Sequence, residues 1–306
     1  MHIPDGFLST PVWACAGAAS VPGVAYFARR SRAALEDGQV PLMGVMGAFV
    51  FAAQMINFPV GVGTSGHLVG GALLAITLGP AAACVVMTAI LTVQALLFQD
   101  GGVLALGANV FNMAIAGVVA GYLPYHYWGA TRHRGLAVFC AGFLSVFVSA
   151  CLAMSQLLLS GVPMPPAVAM LSLALFAASA AMEGGITLAV VGALERLNPR
   201  WVQGTERNAR SGVGVILVTA LLLASVGALL ASALPDGLER LAENVGIAGQ
   251  AKALLASPFA DYEARFLQVE WLRKAVAGIL GLGVVYAACL GFGKIAARRS
   301  GAARSV

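Results

Sequence analysis

The sequence predicts an all-α integral membrane protein, and three observations carry that expectation. First, 59% of the residues are hydrophobic and only 10% charged, with a mean hydropathy of +0.87, values outside the range of soluble classes. Second, apolar runs of bilayer length, about 20 residues each, recur along the chain. Third, Arg and Lys collect at alternate ends of those runs, as the positive-inside rule requires of a multi-pass protein. The net charge of +5 is therefore read as membrane topology, and no nucleic-acid partner is expected.

The first apolar segment, about residues 8–28, ends in Arg29, Arg30 and Arg32, which puts that end in the cytoplasm and the N-terminus outside. No positively charged stretch precedes it, so a cleaved signal peptide is not expected and the N-terminus is expected to survive. A second segment covers about 40–57. The third, about 67–78, is too short to cross alone and reads as a half-helix or a tilted segment shielded by protein. Segments near 80–98, 103–125, 135–160 and 166–194 follow, with Arg132 and Arg134 after the fifth and Arg196, Arg200, Arg207 and Arg210 after the seventh. These seven form the first expected unit, residues 1–210. Gly and Ala recur within it, as in AGAASVPG and LVGGALLA, so its helices can approach closely.

The basic linker ERLNPRWVQGTERNARSG leads to a second unit, residues 211–306. Its spans, near 211–233 and 272–293, bracket an outer loop, and Lys294, Arg298, Arg299 and Arg304 put the C-terminus inside. The loop carries Asp236, Glu239, Glu243, Asp261, Glu263 and Glu270. A solvated helical cap above the bundle is the preferred reading, with direct collection of cations as the alternative. Cys15, Cys84, Cys140, Cys151 and Cys289 are scattered through apolar segments without a CxxC pair and read as packing.

The chemistry begins at the first residues, MHIPDG. The α-amine of Met1, the backbone nitrogen of His2 and the His2 imidazole Nδ1 can grip one ion, closing a five- and a six-membered ring in one plane. Planar nitrogen donors favour Ni(II) or Cu(II) over zinc or magnesium. Pro4, Asp5 and Gly6 make a turn signal that bends this terminus back on the protein, Asp5 bonding to nearby backbone. A fourth donor is needed, and the topology sorts the four histidines. His126 and His133 fall in cytoplasmic loop sequence. His67 lies in NFPVGVGTSGHLVGG, a Gly-rich loop on the same outer side as Met1, and completes an N4 square.

Polar residues near the outer ends of the spans need partners, because burying them unpaired is costly. Thr64 and Ser65 are expected to anchor the His67 loop by local hydrogen bonds. Asn57, Gln99, Asp100, Asn109 and Asn112 are candidates to hydrogen-bond the remaining ring nitrogens of His2 and His67, with plain helix-to-helix bonds equally expected. Glu183 lies about 17 residues, roughly 25 Å, down a straight helix, too deep to be a ligand.

MHIPDGFL at the start, MINFPV and GTSGHLVGG in the middle and FQDGGVLALGANVFNMA further on resemble the CbiM/NikM family. These are the substrate-binding components of energy-coupling-factor transporters for cobalt and nickel. The resemblance covers roughly residues 1–210. It implies a metal held by the terminal Met amine, the backbone nitrogen and imidazole of the second residue, and a His after the second helix, which map onto Met1, His2 and His67. PDGLE, beginning at Pro235, resembles the small accessory component of these systems, here in the same chain. The family further implies a membrane coupling subunit and ABC ATPases in trans, a bacterial inner-membrane location, and Ni2+ or Co2+ as transported substrate.

That energy must come in trans also follows from the residues: no GxxxxGK[ST] phosphate loop occurs, and GFGKI at 291–295 has neither its spacing nor its hydroxyl. The chain is not expected to be an enzyme. A membrane metalloenzyme would need HExxH, and no His is followed by Glu; a passive channel would not need a tight chelate. Nickel is preferred over cobalt, the alternative being a cobalt importer component that feeds cobalamin synthesis.

Overall fold

The computed structural model describes residues 2–34, 39–61, 63–198, 202, 213–227, 231–232 and 234–304. Met1, Arg200, Arg207 and Arg210 therefore lie outside the described residues. Among the described residues the regular elements are helical except for one two-stranded hairpin. Helix α1 spans Thr10–Ala34 and α2 Val40–Gln54, followed by strands β1 (Asn57–Gly61) and β2 (Thr64–His67). Next come α3 (Gly71–Leu78) and α4 (Pro80–Val93), which runs on through a π turn to Phe98. Helix α5 (Leu106–Asn109), a π segment (Val110–Gly117) and α6 (Val118–Trp128) make one rod, and α7 (Arg134–Leu159) and α8 (Pro166–Leu197) complete the first part. The C-terminal part holds α9 (Val213–Ser225), α10 (Gly237–Val245) and α11 (Glu270–Arg304). Among the described residues, six helical rods are long and apolar enough to cross a membrane, and α2 and α9 are shorter apolar helices.

The core lies around α2, whose Met43, Met46 and Phe51 are fully buried beside Leu73 and Leu74 of α3 and Met87, Ile90 and Leu91 of α4. Helix α2 is covered by α9 and α11, so the C-terminal helices complete this core. Close approach of α7 and α8 depends on glycine: a Cβ on Gly142 would stand 2.8 Å from the Gly184 Cα and 2.9 Å from the Glu183 carbonyl oxygen. Backbones that near require small residues at the crossing.

The short third segment resolves into two pieces. After His67 the backbone runs inward through residues 68–70, and α3, about 12 Å long at 1.5 Å per residue, carries it to the opposite end. There Leu78, Gly79 and Pro80 line a second cavity with Arg30, Tyr122, Tyr125, His126 and Arg134. Irregular backbone at this depth is tolerated because protein surrounds it. Glu183 provides its hydrogen bonds, accepting from the Val69 N–H through Oε2 and from the Gly70 N–H through Oε1, both at 2.8 Å.

Glu183 is therefore close to the His67 turn, which corrects the depth expected for it. Helix α8 overhangs the bundle: Phe176 lies against Gly237 and Ser179 against Gly66, so the helix starts well beyond the site and its residue 183 is only about one turn below the level of β2.

Candidate metal centre

The site is built from the N-terminal segment inward. Asp5 is 3% exposed, and its carboxylate accepts from the N–H groups of Val103, Leu104 and Ala105 at 2.9, 2.9 and 3.0 Å. These are unpaired donors just ahead of α5, where a negative charge is favoured. The bonds are long-range, so the expectation that Asp5 bonds to nearby backbone is corrected. Asn109 accepts the Ile3 N–H at 2.8 Å and donates back to the Ile3 carbonyl at 3.0 Å, and Gly102 N–H donates to the same carbonyl at 2.9 Å. Any side chain at Gly102 is excluded, since its Cβ would lie 2.1 Å from Asp5 Oδ1. With residues 3 and 5 fixed, His2 is held in place by backbone.

His2 is buried, 9% exposed, with Nδ1 2.9 Å from Asp100 Oδ1. Its Nε2 is buried without a hydrogen-bond partner among the described residues. The ring stacks on His67 with centroids 5.4 Å apart and planes within 3°. His67 Nδ1 is 2.9 Å from the Leu68 carbonyl oxygen. A carbonyl only accepts, so Nδ1 carries the hydrogen and Nε2 is the lone-pair nitrogen. His67 stands at the end of β2, paired with Asn57 of β1, which replaces the expected loop by a hairpin.

The two rings line a cavity of about 680 Å³ shared with Asp100, Asp236, Glu239, Glu243 and Asp261. Among the described residues that line it, five are carboxylates and none is Lys or Arg, an arrangement that favours cations. The C-terminal part supplies four of the five. Asp236 N-caps α10, accepting from Leu238 and Glu239 N–H, while Glu239 returns a bond to the Asp236 N–H in a capping box. Asp236, Glu239 and Glu243 thus belong to a short capped helix, whereas Asp261 lies in a 3-10 turn, and all four line the cavity with the rings. Among the described residues no three His, Cys, Asp or Glu side chains converge to hold an ion.

The other expected partners divide. Asp100 does meet an imidazole. Asn109 holds Ile3 backbone instead, and Asn112 pairs with Gln156 through two amide bonds of 2.8 Å, the helix-to-helix alternative. Thr64 bonds locally to the Gly61 carbonyl at 2.6 Å, whereas Ser65 Oγ reaches Leu234 O at 2.6 Å and Gln99 reaches Leu255 O, both across to the C-terminal part. Asn57 lines the cavity. His126 stands on the last turn of α6 in the opposite cavity, and His133 takes a bond from Arg132. Sequence reading passes over Gln54 and Gln94, although an amide inside an apolar helix is itself a signal of a polar partner. Tyr262 carries no such signal, because its place depends on how its loop folds back.

Burial drives the His67 imidazole down from 6.5 to about 4, with the neighbouring His2 adding to the effect against the pull of Asp236 and Asp100. For Asp100 burial acts against ionisation, but the adjacent His2 and the hydrogen bonds from His2 and Tyr262 hold it well below the ordinary carboxylate range. Near neutral pH His67 is therefore neutral and able to donate a lone pair. Histidine-labelled NMR of the metal-free full chain should show the His67 ring neutral at pH 5 and protonating near 4; protonation near 6.5 would refute this environment.

The fold defines a multi-pass membrane protein with a carboxylate-lined cavity at the stacked histidines. The chain belongs to the CbiM family, described as the cobalt uptake substrate-specific transmembrane region, which it matches over residues 2–201. Residues 210–298 match the PDGLE domain. It is 29% identical over 341 aligned positions to the fused nickel transport protein NikMN of Rhodobacter capsulatus, covering 94% of this chain and 95% of that one. It is 33% identical over 240 to the probable fused nickel transport protein LarMN of Lactiplantibacillus plantarum, covering 72% and 73%. A crystal structure of a transition metal transporter superposes with a TM-score of 0.58 at 34% identity, covering 65% of this chain and 94% of that one. Both fused relatives are described as nickel transport proteins and the family by cobalt uptake, which are transport roles and not enzymatic ones.

Proposed function

We propose that the chain captures Ni2+ at the outer face of the bacterial inner membrane and delivers it inward as the substrate-specific component of an energy-coupling-factor importer. The observation that carries the reading is the stacked, desolvated pair His2 and His67 in a cavity lined by carboxylates. The ion is held by the Met1 α-amine, the His2 backbone nitrogen and Nδ1, and His67 Nε2. Two units do the work: residues 1–210 hold the ion, and residues 211–306 cover it. The matches at 2–201 and 210–298 support that division.

Energy comes from a membrane coupling subunit and ABC ATPases in trans, since the sequence has no phosphate loop. The N-terminus is outside and the C-terminus inside, a reading supported by Arg30 and Arg134 lining the cavity at the end opposite the histidines, with Arg196 next to the Glu195 that pairs with Arg134. Preference for nickel rests on the planar nitrogen set and on fused two-part relatives described as nickel transporters. Cobalt is the second reading, favoured by the cobalt description of the family itself.

The test is uptake of radioactive nickel and cobalt by cells without their own transporters, expressing the chain with a coupling subunit and ATPases of this transporter class. Nickel should accumulate in preference to cobalt, and only with active ATPases. Accumulation independent of ATPase activity would overturn the importer reading, and a cobalt preference would overturn the nickel assignment.

A further inference from the structure

Tyr262 is in the C-terminal part, yet its side chain lies within the metal centre. It closes a 3-10 turn, Ala260–Tyr262, in which Asp261 and Tyr262 take φ of 58° and 57°. Two successive non-glycine residues in the left-handed region are a strained arrangement that persists only where surrounding contacts impose it. The contacts here are specific. The ring lies flat on Phe98, with centroids 4.7 Å apart and planes within 11°. The hydroxyl donates to Asp100 Oδ2 at 2.5 Å and accepts from Gln94 Nε2 at 3.0 Å. Asp100 uses its other oxygen, Oδ1, on His2 Nδ1. On the far side, Gln94 Nε2 donates to Gln54 Oε1 at 2.8 Å, and Gln54 Nε2 donates to the Val69 carbonyl at 2.7 Å. One polar chain thus joins the His2 ring to the turn beyond His67, with Tyr262 as its central member.

The Nδ1 of His2 is also the atom that the proposed chelate assigns to the ion. A nitrogen cannot carry a proton to Asp100 and give a lone pair to a metal together. Loading therefore requires His2 to leave Asp100. From this geometry we propose that Tyr262 is a positioning residue that fixes Asp100 on His2 and so sets how readily the ion loads, making the C-terminal part a gate in the same chain. The hydroxyl bond orients the carboxylate; without it Asp100 turns away at less cost, the Nδ1 proton passes to solvent while the ring takes one up at Nε2, and the Nδ1 lone pair is free for the ion sooner. The inference rests on the functional reading above in one respect only, that His2 is a ligand.

The experiment is stopped-flow binding of Ni2+, reported by release from a chelating dye, to the full chain with its native terminus. Tyr262→Phe keeps the ring on Phe98 and removes only the hydroxyl. It should load at least about fivefold faster than the parent, with dissociation unchanged within about twofold. Asp100→Asn should load faster as well, and Tyr262→Phe in that background should add nothing, which a general loosening of the fold would not produce. In NMR of the metal-free chain, the His2 Nδ1–H signal should exchange faster with solvent in Tyr262→Phe. An unchanged loading rate, or an equal gain with and without Asp100, overturns the gate. His2→Ala separates the two claims: if it abolishes binding while Tyr262→Phe changes nothing, the gate alone fails, and if it leaves affinity intact, the ligand reading fails.

Discussion

One extra residue ahead of Met1 abolishes nickel binding while leaving the fold and every side chain in place. The α-amine becomes an amide, the five-membered ring loses its neutral donor, and the added residue must fit beside a His2 that is 9% exposed. Affinity should fall at least about a thousandfold, on the order of 4 kcal/mol. A C-terminal extension of the same length should have no effect. Isothermal titration of native and extended chains makes the comparison, and equal affinities would remove Met1 from the ligand set.

The second large effect is at His67. His67→Ala should weaken binding by more than about a hundredfold, beyond the loss usual for residues that merely support a ligand, and transport should stop. The hairpin should survive, because Thr64 and Ser65 hold it through the Gly61 and Leu234 carbonyls and β1 pairs along it. Thermal unfolding within a few degrees of the parent, together with lost binding, is the expected pair of results. Normal uptake in a well-expressed variant would show that the stacked pair is not the cargo site.

What the sequence reveals and what it hides follow from the range of the interactions. Helices were legible because apolar length and flanking arginines are local signals: the segment expected near 135–160 is α7 at Arg134–Leu159, and that near 166–194 is α8 at Pro166–Leu197. That His2 and His67 come together was legible, because a terminal chelate lacking one donor points to a single histidine on the same side, and their rings do stack. The hairpin was hidden, since NFPVG and TSGH show neither alternation nor β-branched runs strong enough to signal strands. The supporting contacts were hidden for a different reason. Asp5 meets residues about 100 positions away, Asn109 turns to Ile3 backbone, and Tyr262 enters from a loop more than 160 positions beyond its partner Asp100. Such pairs depend on how helices stack, which polarity alone does not specify. The level of Glu183 is hidden because the first apolar residue of a span does not mark its height in the bundle, and α8 overhangs the site.

The central claim is that His2 and His67 give nitrogen to one ion. X-ray absorption at the nickel edge of the loaded full chain, with its native terminus, tests it most directly. The account predicts four nitrogen neighbours in a plane, with scattering from two imidazole rings that falls to one ring in any residual complex of His67→Ala. A six-coordinate, oxygen-dominated shell, or a spectrum unchanged by His67→Ala, would contradict it.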